Sequence, residues 1–281
     1  MPTISENRLM WDGSHEWSQG GDEWSESWGT ADAQWVGCLL PRIFPFLKGR
    51  ILEIAPGHGR WTQFLQTHCS SLIGIDLVQA CVERCAERFS QYRNLEFKVN
   101  DGLTFPMIAD ESIDFAFSFD SLVHAEADVM RSYVNELARV LKPGGVAFLH
   151  HSNLAAVHGS MLYRVRRVKM RLSRLPHYNL NWRAPSMSAE KMRRFVEDSG
   201  MMCLQQETVP WGTGWPWMTD CMSTIVNSPG SQCHVLRNTR FMEEAAAIKR
   251  ISSQRAARVQ VERTAGAFKE ESSRQSAPGA R

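Results

Sequence analysis

The 281-residue sequence predicts a doubly wound α/β domain: a mostly parallel sheet with helices on both faces. Three observations carry this. From residue 50 onward, short apolar runs alternate with stretches of helical period. The first run opens into a glycine-bearing turn, Ile51-Leu52-Glu53-Ile54-Ala55-Pro56-Gly57-His58-Gly59-Arg60. The second ends on an acid, Asp76, 23 residues after Glu53. Composition agrees, since 43% hydrophobic and 22% charged residues exclude a disordered, collagen-like or disulfide-scaffold chain.

In chain order, residues 1–30 are rich in Gly, Ser, Asp, Glu and Trp without a clear period, which predicts an extended or loop-rich arm pinned by its indoles. A helix follows over 32–47. Strands are then expected at 50–54, 71–75, 95–99, 113–119 and 146–150, with helices at 59–67, 78–89 and 127–141. The stretch 160–175 reads as a basic helix by its Leu162, Val165, Val168 and Leu172 spacing, ended by Pro176. Ser188 is the expected N-cap of a helix closed at Gly200. Strands at 201–209 and 219–226 complete a seven-stranded sheet. Beyond Asn238 a charged helix is expected, and from Thr264 a disordered tail. The chain thus divides into an arm and helix (1–47), a central domain (48–238) with a basic helical insertion (155–187), and a terminal helix with tail (239–281).

Net charge is only +2, yet no acidic residue lies between Glu136 and Glu190, a span holding nine arginines and lysines. An anionic partner would suit that segment. The longest uncharged stretch, Pro143 to Tyr163, carries three histidines and three glycines, so no membrane-spanning segment is expected. The amino terminus lacks a basic-then-apolar leader, and seven scattered cysteines suit reduced thiols. The expected compartment is the cytoplasm.

Glycines at a strand end let backbone approach a ligand closely, and an acid ending the next strand binds the ribose hydroxyls of a nucleoside cofactor. Taken alone, these features leave a nicotinamide cofactor open. The Glu53 loop, Asp76, Asn100-Asp101-Gly102, Asp114 to Asp120 and Leu137-Ala138-Arg139-Val140-Leu141-Lys142-Pro143-Gly144-Gly145 together resemble the class I S-adenosylmethionine-dependent methyltransferases over about residues 48–228. The resemblance implies a Rossmann-like fold and S-adenosylmethionine as cofactor. It places Ala55, Gly57 and Gly59 under the methionine and ribose, Asp76 at the ribose hydroxyls and Asp101 at the adenine amine, with Leu77 and Gly102 also in the cofactor site. Glu53, Trp61, Phe119, Asp120, Trp24 and Trp28 complete the expected cofactor site. Ala55 stands where the family carries a glycine.

A sulfonium methyl is already activated, so the protein must align the acceptor and, for a hydroxyl, remove a proton. Asp120, His124, His150 and His151 end strands where that base is needed. Neighbouring strand residues face opposite ways, so one of His150 and His151 faces the cleft; His151 is the expected one. Asp120, His124 and His151 also offer ligands for a divalent ion such as Mg²⁺, although there is no His-x-x-x-His or Cys-x-x-Cys cluster.

Trp24-Ser25-Glu26-Ser27-Trp28-Gly29, Phe117 to His124, His150-His151-Ser152-Asn153 and Asn181-Trp182-Arg183 resemble bacterial sugar and polysaccharide methyltransferases, including mannoside O-methyltransferases. That resemblance implies a saccharide or glycosylated hydroxyl acceptor, with an anionic one suiting the basic segment. Trp11, Trp17, Trp24 and Trp28 then form a lid, and Trp182, Trp211, Trp215 and Trp217 an acceptor groove, with Tyr163, Asn153 and Arg183 as further contacts. The rivals are a small-molecule natural-product O- or N-methyltransferase and a noncatalytic nucleoside- or RNA-binding protein. Low net charge and the lack of a recognised RNA-binding module disfavour nucleic acid. Oligomeric state is open, a homodimer included.

Overall fold

The computed structural model describes residues 3–15, 17–158, 183–211 and 217–275. The expected basic helix at 160–175, with Tyr163, Trp182 and Trp215, lies outside them.

The apolar runs form strands β1 (Arg50–Ile54), β2 (Ser71–Asp76), β3 (Leu95–Val99), β4 (Ile113–Ser118), β5 (Leu141–Ser152), β6 (Met202–Val209), β7 (Asp220–Val226) and β8 (His234–Arg237). They make one sheet in the order β3-β2-β1-β4-β5-β7-β6-β8. Only β7 runs against its neighbours. The helices are α1 (Ile4–Leu9), α2 (Ala31–Gln34), α3 (Leu40–Ile43), α4 (Thr62–Leu65), α5 (Gln79–Arg88), α6 (Ala127–Val140), α7 (Leu154–His158), α8 (Ala189–Asp198) and α9 (Phe241–Gln275).

Strand alternation sorts the core into two layers. Leu52, Ile54, Ile73, Ile75, Ala116, Ala147 and Leu149 point to one face. There α6 contributes Met130, Tyr133, Val134, Leu137 and Val140, one stripe at helical period, and α8 contributes Met192, Phe195 and Val196. Ile51, Leu72, Phe115, Phe117, Val146 and Phe148 point to the other face, under Trp28, Trp35, Leu39, Ile43, Trp61 and Phe241. Both faces are covered, which is why the strands read as near-continuous apolar runs. Chain direction through the sheet reverses between β1 and β4. That switch point opens a crevice at the strands' carboxyl ends.

Several elements differ from the sequence expectation. An eighth strand extends the sheet, since His234–Arg237 pairs in parallel with β6 although all four residues are exposed and show no buried alternation. β5 begins at Leu141, so the Lys142-Pro143-Gly144-Gly145 turn lies inside it, at a register shift against β4. The arm is helical rather than extended: Thr3 and Glu6 form a reciprocal capping box on α1, a π turn follows over Met10–Ser14, and Asp22–Trp28 is a 3₁₀ helix. The expected helix at 32–47 is a broken run, α2, a π turn at Trp35–Leu39, α3 and a 3₁₀ turn at Phe44–Phe46; Pro41 and Pro45 lack the amide hydrogens a regular helix needs. The helix expected at 59–67 shortens to α4, because Gly57 and Gly59 keep left-handed φ values of 57° and 84°. Beyond Thr264 the backbone continues as helix to Gln275, where a disordered tail was expected. Ser188 caps α8 through its bond from the Lys191 amide, and Gly200 follows at φ 81°.

All seven cysteines are free thiols. Among the described residues no helix is long and apolar enough to cross a membrane.

Candidate active site

The site is built on the turn that leaves β1. Ala55 and Gly57 both take φ 57°, and the Ala55 amide is tied to the Ile75 carbonyl at 2.7 Å. A Cβ at Gly57 would stand 2.7 Å from the Trp17 ring, and one at Gly59 would stand 2.4 Å from Phe89. Close packing therefore demands glycine at both. Beneath the turn lies the Glu53 carboxyl, which takes one hydrogen bond from Thr62 and leaves Oε1 without a partner. Burial pushes this carboxyl up to about 8. Asp76, at the end of β2, accepts the Gly57 and Val78 amides, each at 3.0 Å, and burial pushes it up to about 6.

Above this floor opens a cleft of about 120 Å³. Ala55, Gly57, Asp76, Leu77, Gly102 and Asp120, six of the residues expected to hold cofactor, line it. Trp24 also lines it and forms a roof with Trp11 and Trp17. Trp17 stacks on His58 at 4.0 Å, while Trp11 meets Trp24 at 5.6 Å and His124 at 5.6 Å. Trp28 is not part of that lid; it is 1% exposed and packs on Trp211 and Phe241. Glu53, Gly59, Trp61 and Phe119 lie beneath or behind the cleft and do not line it. Trp61 carries Arg60 on its ring face at 4.5 Å. Asp101 turns away to its own loop, accepting the Leu103 and Thr104 amides at 2.7 Å. Asn100 lines the cleft instead, its amide donating to the Tyr133 hydroxyl at 3.1 Å.

The four candidate bases separate. Asp120 and His124 line the cleft. His150 is fully buried, stacked on Phe119 at 4.5 Å, with Trp211 at 4.9 Å. The preference for His151 is reversed. Alternation along β5 puts His151 on the face of Ala147 and Leu149, where its Nδ1 meets the Ser152 carbonyl and its Nε2 the Ser223 hydroxyl. It is 0% exposed, and burial lowers it to about 4. For the same reason Asp120, His124 and His151 do not assemble as a metal site. Among the described residues no group of three histidines, cysteines or acids is placed to hold a metal.

The expected acceptor contacts also shift. Asn153 is a structural clamp, donating to the Met218 carbonyl and accepting the Ala189 amide, both at 2.8 Å. Arg183 is paired with buried Asp220 and faces Trp211 at 5.8 Å. Trp217 packs on Leu154 and Val157.

Residues 51–145 match a family described as a methyltransferase domain. The magnesium protoporphyrin IX methyltransferase of Synechocystis PCC 6803, solved with bound SAH, superposes with a TM-score of 0.56 at 16% identity, over 80% of this chain and all of that one. The fold is that of the class I methyltransferases. Two curated proteins resemble the methyltransferase domain in sequence. The Biotin biosynthesis bifunctional protein BioHC of Cellvibrio japonicus is 28% identical over 157 residues, 56% of this chain and 28% of that protein. Phosphoethanolamine N-methyltransferase 1 of Triticum aestivum is 29% identical over 114 residues, 39% of this chain and 23% of that protein. The chain thus spans less than a third of the length of these relatives.

Sequence reasoning missed four contributors to the cleft and its support. Arg60, beside Gly59, bridges to Asp120 at 2.8 Å. Asn100 displaces its neighbour Asp101 at the cleft wall. Tyr133, on the buried stripe of α6, also lines it. Asp220 meets His150 only because β7 pairs with β5, a contact that no local motif announces.

Proposed function

We propose that the chain is an S-adenosylmethionine-dependent methyltransferase that moves a methyl group to a hydroxyl of a saccharide or glycosylated small molecule. The observation that carries this is the roofed cleft at the switch point, floored by Gly57 and edged by Asp76. Asp76 fits the cofactor: it is an acid at the cleft with lone pairs beyond the bonds it accepts from the Gly57 and Val78 amides. The cofactor supplies a methyl group already activated on a sulfonium.

The chain's residues do the rest. Asp76 would accept hydrogen bonds from the ribose hydroxyls, and Asn100 and Gly102, which also line the cleft, would hold the adenine. Trp11, Trp17 and Trp24 exclude water from the roof. Asp120 and His124 are the groups placed to take the acceptor's proton, since both line the cleft and His151 does not. The saccharide class rests on the likeness of the Phe117–His124 and His150–Asn153 motifs to sugar methyltransferases. An amine acceptor, as the name of the Triticum aestivum relative states for that protein, is the alternative. Free cysteines throughout suit work in the cytoplasm.

Calorimetric titration with S-adenosylhomocysteine, paired with a radiolabelled methyl-transfer screen over oligosaccharides and small amines, tests the reading. Wild type should bind, with Asp76→Ala at least about tenfold weaker. His124→Ala should cut transfer by about a hundredfold and leave cofactor affinity intact. Absence of binding overturns the assignment, whereas labelled product only from amines replaces the acceptor class.

A further inference from the structure

Asp120 stands where the cleft meets the interior, and its backbone takes φ 68°, a left-handed conformation rare for a residue other than glycine. Two sets of contacts hold it there. On the side chain, Arg60 Nη2 donates to Oδ2 at 2.8 Å. On the backbone, the Asp120 amide donates to His150 Nδ1 at 3.2 Å. A backbone amide only donates, so Nδ1 carries no hydrogen. The other ring nitrogen, Nε2, lies 3.2 Å from Asp220 Oδ2. Burial would raise the Asp220 carboxyl, but the Arg183 charge and the bonds from His150 and Arg183 hold it well below the usual carboxylate range. It is therefore an acceptor, and Nε2 carries the hydrogen. Arg183 completes the chain with two bonds to Asp220, one from Nε and one from Nη2 at 2.7 Å. His150 and Asp220 are both fully buried. The 3.7 Å between Nδ1 and Asp120 Oδ1 is too long for a competing hydrogen bond.

We propose that Asp220 is a positioning residue for the cleft: with Arg183 it fixes His150 as the Nε2–H tautomer, whose bare Nδ1 captures the Asp120 amide and holds Asp120 in its left-handed conformation. The relay gives His150 a role other than the proton acceptor its position in the sequence suggested. Its relevance to methyl transfer rests on the reading of the cleft above, but the relay itself does not.

Nitrogen-15 NMR of histidine in the full chain, with hydrogen exchange at the Asp120 amide, tests it. Wild type should show the Nε2–H form. In Asp220→Asn the new amide can donate to Nε2, which favours Nδ1–H and sets two donors face to face at Asp120. Exchange at Asp120 should then accelerate at least about tenfold, while sheet amides such as those of Ile51 and Ala116 stay protected. His150→Asn, whose side-chain oxygen lies near the lost Nδ1, should keep more of the Asp120 protection than His150→Gln. Wild type found as Nδ1–H or imidazolium overturns the proposal, as does unchanged Asp120 exchange in Asp220→Asn. If Asp220→Asn does not fold, the wild-type tautomer and the His150 pair decide. Failure of wild type to bind S-adenosylhomocysteine overturns the methyltransferase reading and leaves the tautomer result standing.

Discussion

At the scale of single residues, two floor positions carry strain of different kinds. Glu53 is a fully buried carboxyl raised to about 8 from an ordinary 4.5, so at neutral pH it is protonated in the fold and ionised in the unfolded chain. Its contribution to stability is therefore fully present below pH about 4.5 and is lost as pH rises towards about 8. Glu53→Gln cannot ionise, so it should gain on wild type by about 2 kcal/mol between pH 6 and pH 8. Melting curves at the two pH values check this; parallel shifts in both proteins would contradict it. Ala55 holds φ 57° where a glycine would be unstrained. Ala55→Gly should raise stability by about 1 kcal/mol, a rise of a few degrees in Tm.

At the scale of elements, the arm and the β1 turn are one unit. Trp17 stacks on His58 and fills the space that a Cβ at Gly57 would take, so roof and floor share a contact. Trp11, His15, Trp17 and Trp24 hold each other at ring separations of 4.8–6.0 Å. The sheet core does not depend on this cluster, since none of those rings belongs to either buried layer. Trp17→Ala should therefore weaken S-adenosylhomocysteine binding about tenfold while Tm falls by only a few degrees. A large Tm loss with unchanged affinity would mean that the arm is scaffold rather than roof. The indoles were visible in the sequence. Their order was not, because a cluster of rings from a π turn, a 3₁₀ helix and the loop between them has no period to read.

At the scale of the whole molecule, the start of α9 is built into the body. Phe241 packs on Trp28 and Trp211 and takes Arg42 on its ring at 5.6 Å, while Arg42 also pairs with Glu207 on β6 at 2.7 Å. Further along, Ile251 is 66% exposed. Deletion from Thr264 should leave Tm and binding unchanged, whereas deletion from Arg240 should lower Tm by about 10 °C through loss of the Phe241 packing. The sequence by itself determined the parallel sheet, seven of its eight strands, the glycine turn and the acid at Asp76, because each is a local pattern of period, turn chemistry or spacing. It also determined that His150 and His151 face opposite sides of the sheet, since alternation along a strand is local. Only the tertiary structure decided that both are buried away from the cleft, for that depends on what packs against β5 on each face. The same holds for β8 on the open edge and for Asp220 reaching His150 across β7. Each is a pairing between distant segments, whose energy comes from partners that the local sequence does not name.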